Sequence, residues 1–128
     1  MILAYGKNLS EKQANAKVKD AVITVPSYYN QEKRILLMDA AELAGLNVIQ
    51  LVHENSAAAV MFGIDRLDTE KDMNVLIYNM GGRDTEVSVV RYSAVTDTKQ
   101  NKTFEYIDII GEGYDDTLGG QAFDHVLV

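Results

Sequence analysis

Two adjacent glycines lie between two strand-like runs: Val75-Leu76-Ile77-Tyr78 leads into Asn79-Met80-Gly81-Gly82-Arg83-Asp84, and a further apolar run follows. Such glycines let the backbone turn tightly and aim successive N–H groups at one point, a concavity that holds phosphate oxygens without side-chain charge. A plain hairpin turn uses the same dipeptide, and the residues alone leave both readings open. A second glycine-rich stretch, Gly111-Glu112-Gly113 through Leu118-Gly119-Gly120, again joins a strand to the start of a helix. Helix N-termini favour anions, although surface loops use such glycines routinely. Glu54 directly follows an apolar run, at the carboxyl end of an expected strand, where ligands collect in open α/β sheets. A carboxylate there suits a magnesium-bound water, because Mg²⁺ prefers oxygen ligands and keeps several waters. It suits the first turn of the following helix equally well. His53, beside it, reads as packed or solvated.

Other chemistries are excluded by composition. The 128 residues contain no cysteine and two histidines, His53 and His125, so disulfides, thiolate metal sites and multi-histidine centres are ruled out. Twelve basic and 19 acidic residues give a net charge of -7. No Lys/Arg stripe is available to release counterions from a phosphate backbone, so nucleic acid is not an expected partner. No apolar run approaches the roughly 20 residues of a membrane span, and Met1 to Ala4 is not expected to open a signal peptide, because Lys7, Asn8, Glu11 and Lys12 follow too soon. Asn8-Leu9-Ser10 and Asn101-Lys102-Thr103 are glycosylation sequons, which permit a secretory-pathway location and no more.

The elements that position these residues follow from pattern. Residues 2 to 14 suit an amphipathic helix. Ala21 to Val25 is a short β-branched run, expected to be a strand buried on both faces, and Pro26 ends it. Asn30 caps a helix with Glu32 in its first turn; Leu36, Ala40, Leu43 and Ala44 supply its apolar spacing, and Gly45 stops it. Val48 to Val52 reads as a second strand and Asn55 to Ile64 as an alanine-rich helix. This β-α-β-α order implies parallel strands. The charged stretch from Asp65 to Asp72 reads as a linker. Beyond it, residues 74–79, 85–94 and 103–110 read as three strands, with a hairpin loop over 96–102. Val87 and Val89 alternate with Glu86 and Ser88, as in a half-buried strand. Tyr28 and Tyr29 read as packing residues. The helical pattern from Gln121 to Val128 reaches the last residue without a cap, so the chain is expected to be an internal piece of a longer one.

Five segments in register resemble the nucleotide-binding domain of the heat-shock-protein-70 chaperones. Residues 21–30 resemble the family's "AVITVPAYFN", residues 44–48 its "AGLNV", residues 53–59 its "NEPTAAA" and residues 75–88 its second phosphate loop, "VLIFDLGGGTFDVS". Leu118-Gly119-Gly120 with Phe123-Asp124 resembles "LGGEDFD". The likeness runs from about residue 15 to the end.

The resemblance implies an α/β, actin-like (ribonuclease-H-like) ATPase fold in part. Residues 1–66 would close the first lobe, 67–72 would link, and 73–128 would open the second lobe with antiparallel strands and then a helix. By the same resemblance, ATP or ADP and Mg²⁺ are the cofactors. Gly81 and Gly82 give backbone N–H groups to phosphate, with Arg83, Asp84 and Gly120 near the nucleotide. Glu54 and Glu86 lie near Mg²⁺ through water, and Glu54 and Asn79 hold the catalytic positions.

Four departures bear on hydrolysis. The family's phosphate-loop aspartate is Asn79 here, and an amide cannot accept a proton from the attacking water. The third glycine is Arg83, whose side chain either crowds the loop or reaches a phosphate. The family threonine is Asp84, and a later aspartate is Glu86. A degenerate loop of this kind resembles the large relatives, closest to the hypoxia-up-regulated (170-kDa glucose-regulated) branch of the endoplasmic reticulum. That branch implies an ATP-binding co-chaperone of the lumen, with unfolded clients and a lumenal heat-shock-protein-70 chaperone as partners. It would act as nucleotide exchange factor and holdase. The alternatives are an active chaperone ATPase, a cytoplasmic location, and a scaffold that binds no nucleotide. Because these residues hold only the middle of the family's site, weak or no ATP binding is expected of them in isolation.

Overall fold

The computed structural model describes residues 1–64, 71–97 and 102–127. Most of the expected linker (67–72), most of the hairpin loop (96–102) and the sequon at Asn101 lie outside the described residues. Nine elements are present among them, in the order α1 (Ile2–Ala14), β1 (Asp20–Val25), α2 (Gln31–Leu43), β2 (Asn47–His53), α3 (Glu54–Gly63), β3 (Met73–Met80), β4 (Thr85–Asp97), β5 (Lys102–Asp115) and α4 (Gly120–Leu127). They form two compact units, Met1–His53 and Glu54–Val128.

In the first unit β1 and β2 pair in parallel, from Asp20 beside Asn47 to Val25 beside His53, and α2 is the connection between them. Local chemistry sets both ends of α2. The Asn30 side chain accepts a hydrogen bond from the Lys33 N–H at 2.9 Å, satisfying one of the helix's open amides. At the other end the N–H of Leu46 bonds the Ala41 carbonyl at 2.9 Å and that of Gly45 bonds the Glu42 carbonyl at 2.8 Å. This is a Schellman closure, and it requires the left-handed φ of 72° that Gly45 adopts.

Two expectations about burial are corrected here. The apolar line that α2 turns inward is Leu37, Ala41 and Ala44 with the stem of Arg34, whereas Leu36 and Leu43 are 60% and 90% exposed. Helix α2 carries two apolar stripes, and only one of them packs on β2. Strand β1 is likewise not buried on both faces: its residues alternate, with Val25 fully buried and Val22 57% exposed. One face is covered and the other is open.

Arg34 ties the carboxyl ends of the two strands together. Its Nε donates to the Tyr29 carbonyl at 2.7 Å and its Nη2 to the Ser27 carbonyl at 3.3 Å. Nη2 also lies 3.1 Å from His53 Nε2. Because a guanidinium only donates, His53 accepts through Nε2. Tyr28 and Tyr29 stack edge to face at 5.7 Å, and the Lys33 ammonium lies over both rings, consistent with their expected packing role.

In the second unit β3, β4 and β5 form an antiparallel sheet in that order, and α3 packs on it. Ala59, Val90 and Tyr92 are its buried centre, with Phe62, Met73, Val75 and Ile77 packed around them. Tyr92 donates its hydroxyl to the Ala59 carbonyl at 2.7 Å, which satisfies the one polar atom of a ring otherwise in the core; burial pushes its phenol pKa up. Gly63 permits this contact, since a Cβ there would lie 2.9 Å from Tyr92 Cε1.

Strand β5 extends to Asp115, so Gly111-Glu112-Gly113 is strand and not turn. Gly111 faces Val89 and Gly113 faces Val87 across the ladder, and continuous pairing overrides the preference of glycine for turns. The true turn is residues 116–119.

Candidate functional site

The sequence-derived candidates converge on one end of the second unit. The inward face of β3 runs Met73, Val75, Ile77, Asn79, so Asn79 continues the core face to the carboxyl end of the strand. Across the antiparallel ladder it stands opposite Glu86, and residues so paired share a face. On β4 that face carries Glu86, Ser88, Val90 and Tyr92, all buried. The alternation has the expected period of two, yet the polar pair Glu86 and Ser88 lies on the buried side, and Val87 and Val89 are the partly covered set. Buried polar side chains on a strand mark a place where packing is not the sole purpose.

Helix α3 supplies the other half of this cluster. Glu54 is its first residue, and Glu54 Oε2 accepts a hydrogen bond from Asn79 Nδ2 at 2.9 Å. The next residue, Asn55, is 4% exposed and donates Nδ2 to Ser88 Oγ at 2.9 Å. Its Oδ1 is buried with no partner among the described residues. The geometry thus directs one oxygen of Glu54 across to β3.

The two glycine turns meet beside this cluster. The Gly81 N–H closes its own hairpin on the Asp84 carbonyl at 2.9 Å. The Gly81 and Gly82 carbonyls accept from the first amides of α4, Gly120 N–H at 3.0 Å and Gln121 N–H at 2.7 Å. Thr85 Oγ1 donates to the Leu118 carbonyl at 2.6 Å. Gly119 fits only because it lacks a side chain: a Cβ there would lie 2.5 Å from the Arg83 nitrogen and 2.6 Å from its Cα. Asp115 Oδ1 organises the turn by accepting from the Thr117 hydroxyl at 2.7 Å, the Thr117 N–H at 2.9 Å and the Leu118 N–H at 3.1 Å. The Thr117 hydroxyl bond, then the backbone ones, holds the Asp115 carboxyl below its ordinary value.

What this can do chemically is set by which groups stay open. Gly82 is exposed, with nothing within 4 Å of where a Cβ would stand, so a ligand can approach its backbone closely. Beside it Arg83, Asp116, Thr117, Gln121, Ala122 and His125 line a shallow cleft of about 230 Å³. Asp84 is close by, its Oδ1 3.2 Å from a Cβ position on Gly81. Arg83 and the Gly82–Arg83 backbone suit one or two phosphate oxygens, whereas Asp84 repels them. Among the described residues no three of His, Cys, Asp or Glu come together as direct ligands of a divalent cation; Glu86 is 3% exposed, and one oxygen of Glu54 is bonded to Asn79, so the other Glu54 oxygen is the group that would meet a metal-bound water.

Every candidate therefore has a place: Glu54, Asn79 and Glu86 in the polar cluster, and Gly81, Gly82, Arg83, Asp84 and Gly120 at the joined turns. Gly119, Thr85, Asn55, Ser88 and Tyr92 were not among the candidates. The glycine pair at 119–120 and the period-two row from 86 to 92 were the signals available for them. Among the described residues no helix is long and apolar enough to cross a membrane.

Residues 1–128 match the family model described as Hsp70 protein. The chain is 41% identical over 129 residues to hypoxia up-regulated protein 1 of Xenopus laevis, covering 97% of this chain and 19% of that protein. Against hypoxia up-regulated protein 1 of Danio rerio it is 42% identical over 125 residues, covering 94% of this chain and 12% of that one. It is also 40% identical over 128 residues to chaperone protein DnaK of Mycoplasmopsis pulmonis, covering 100% of this chain and 19% of that protein. The chain thus spans a fifth or less of the length of these curated relatives.

Proposed function

The chain belongs to the Hsp70 family and carries part of its actin-like nucleotide-binding domain, and on that premise we propose that it serves an ATP-binding co-chaperone that hydrolyses ATP poorly. The observation that carries this reading is the hydrogen bond from the Asn79 amide to Glu54. At the position where the resemblance calls for a proton-accepting carboxylate, the side chain is a neutral amide with its donor already engaged.

Phosphate is held at the exposed Gly82–Arg83 backbone and by the Arg83 guanidinium, next to Gly120 at the start of α4. Magnesium would be held mainly by the nucleotide's own oxygens and by water, with Glu54 reaching it through such a water. By the resemblance residues 1–66 would close the first lobe, 67–72 would link and 73–128 would begin the second, whereas the compact units divide at His53/Glu54 because α3 packs on the β3–β5 sheet. The likeness to hypoxia up-regulated protein 1 of two species supports the hypoxia-up-regulated branch, which the resemblance assigns to the endoplasmic reticulum. On that branch the protein resides in the lumen, exchanges nucleotide on a lumenal Hsp70 partner and holds unfolded clients.

A second reading, an active chaperone ATPase, is favoured by the nearly equal identity to a DnaK protein. Calorimetric titration of the full-length protein with Mg-ATP, followed by release of labelled ADP from a lumenal Hsp70 in its presence, tests the proposal. Binding of ATP together with faster ADP release is expected. Absence of nucleotide binding leaves the scaffold reading, and absence of any effect on release removes the exchange role.

A further inference from the structure

We infer that Asn79 is a positioning residue: its neutral amide holds the Glu54 carboxylate by a donated hydrogen bond, where a carboxylate facing Glu54 would need a proton or a divalent cation between them. The residues are on three elements. Glu54 opens α3 and lies 2.9 Å from Asn79 Nδ2 on β3. Asn79 stands opposite Glu86 on β4, and Glu86 is almost fully buried. An amide therefore sits between two carboxylate-bearing positions at the edge of an apolar core.

An ionised carboxylate only accepts, so the amide orientation is settled by the bond it makes: nitrogen toward Glu54. A carboxylate in place of Asn79 would meet Glu54 oxygen to oxygen at hydrogen-bond distance. Two such groups do not both stay ionised out of water unless a cation or a proton intervenes. With the amide in place the Glu54–Asn79 pair is satisfied without a metal, and no three-ligand group forms among the described residues. The inference rests on the proposed function only in taking this cluster as the edge of the nucleotide site; the hydrogen bond stands apart from it.

The test needs no nucleotide, so its failure is separate from failure of ATP binding. Full-length wild type, Asn79→Asp, Asn79→Leu and the exchange variant Glu54→Gln/Asn79→Asp are unfolded thermally in EDTA and in Mn²⁺, at about pH 8 and about pH 5, on either side of the range where paired carboxylates titrate. Wild type is expected to unfold at the same temperature with Mn²⁺ as with EDTA. Asn79→Asp is expected to lose on the order of 5 °C in EDTA at the higher pH and to regain it in Mn²⁺ or at the lower pH. Asn79→Leu lowers the midpoint and is rescued by neither. The exchange variant restores an amide–carboxylate pair with its roles reversed, and is expected to return the midpoint to metal independence, a rescue that a purely steric role would not give. An Asn79→Asp protein that folds only in Mn²⁺ supports the inference equally. Wild-type stability of Asn79→Asp in EDTA at the higher pH overturns it, as does failure of the exchange variant to restore metal independence.

Discussion

Gly119→Ala probes the joint between the glycine turns, and its cost follows from distances. An added methyl would stand 2.5 Å from the backbone nitrogen of Arg83, and a backbone atom cannot swing aside as a side-chain tip can. Relief requires the turn at 116–119 to move away from the Gly81–Gly82 hairpin. Three bonds bridge that joint: Gly120 N–H to Gly81, Gln121 N–H to Gly82, and Thr85 Oγ1 to the Leu118 carbonyl. A typical bond contributes about 0.5–1.5 kcal/mol net, and because Gly81 and Gly82 are exposed water replaces two of the three, so their combined loss is placed near the low end, about 2 kcal/mol. That corresponds to roughly a 30-fold rise in local opening. Hydrogen–deuterium exchange of the full-length protein reads it directly: amides at 118–122 exchange roughly 30-fold faster, while those of Val90 and Tyr92 in the buried centre hold their rates. Unchanged exchange at 118–122 refutes the reasoning, and acceleration spread evenly over β3 and β4 shows that the joint is not a local one.

Other outcomes follow from single contacts. Tyr92→Phe removes the hydroxyl that donates to the Ala59 carbonyl and is expected to cost about 1 kcal/mol by urea unfolding, the net worth of one such bond; a neutral result means that this carbonyl is satisfied without it. Asn30→Ala deletes the cap on Lys33 N–H, with an expected loss of about 1 kcal/mol by the same measurement. For Asp115 the folded-state carboxyl lies below its ordinary value of 3.8, chiefly through the Thr117 hydroxyl. Its contribution is therefore complete above that value and is lost as pH falls through the lower folded one. The amide proton resonances of Thr117 and Leu118 are expected to titrate together below 3.8 and to stop doing so in Asp115→Ala.

Features decided within a few residues were legible in the sequence. Pro26 ends β1, Asn30 caps α2 and Gly45 closes it, because each depends on local hydrogen bonding and on the φ that residue permits. The resemblance carried the overall fold further than local pattern did. What the pattern did not reveal depends on partners distant along the chain. Glu86 and Ser88 are polar and read as the wet side of β4, yet α3 brings Glu54 and Asn55 to that face, so the polar set is the covered one. Gly111 and Gly113 have the composition of a turn, and only the ladder to Val89 and Val87 makes them strand. Leu36 and Leu43 are as apolar as Leu37 and Ala41, and periodicity does not tell which stripe of α2 meets β2. The missing proton acceptor is legible in Asn79 itself, but its bond to Glu54 joins residues 25 apart in the chain, which no local pattern reveals.

Single-turnover hydrolysis of Mg-ATP by the full-length protein, beside Asn79→Asp, tests most directly whether the nucleotide is bound without efficient hydrolysis. The prediction is that wild type binds ATP and turns it over slowly, while the variant in Mg²⁺, whose added carboxylate can accept a proton, is faster by roughly 100-fold, the lower range for a restored general base. A wild type that already hydrolyses ATP as fast as the variant contradicts it.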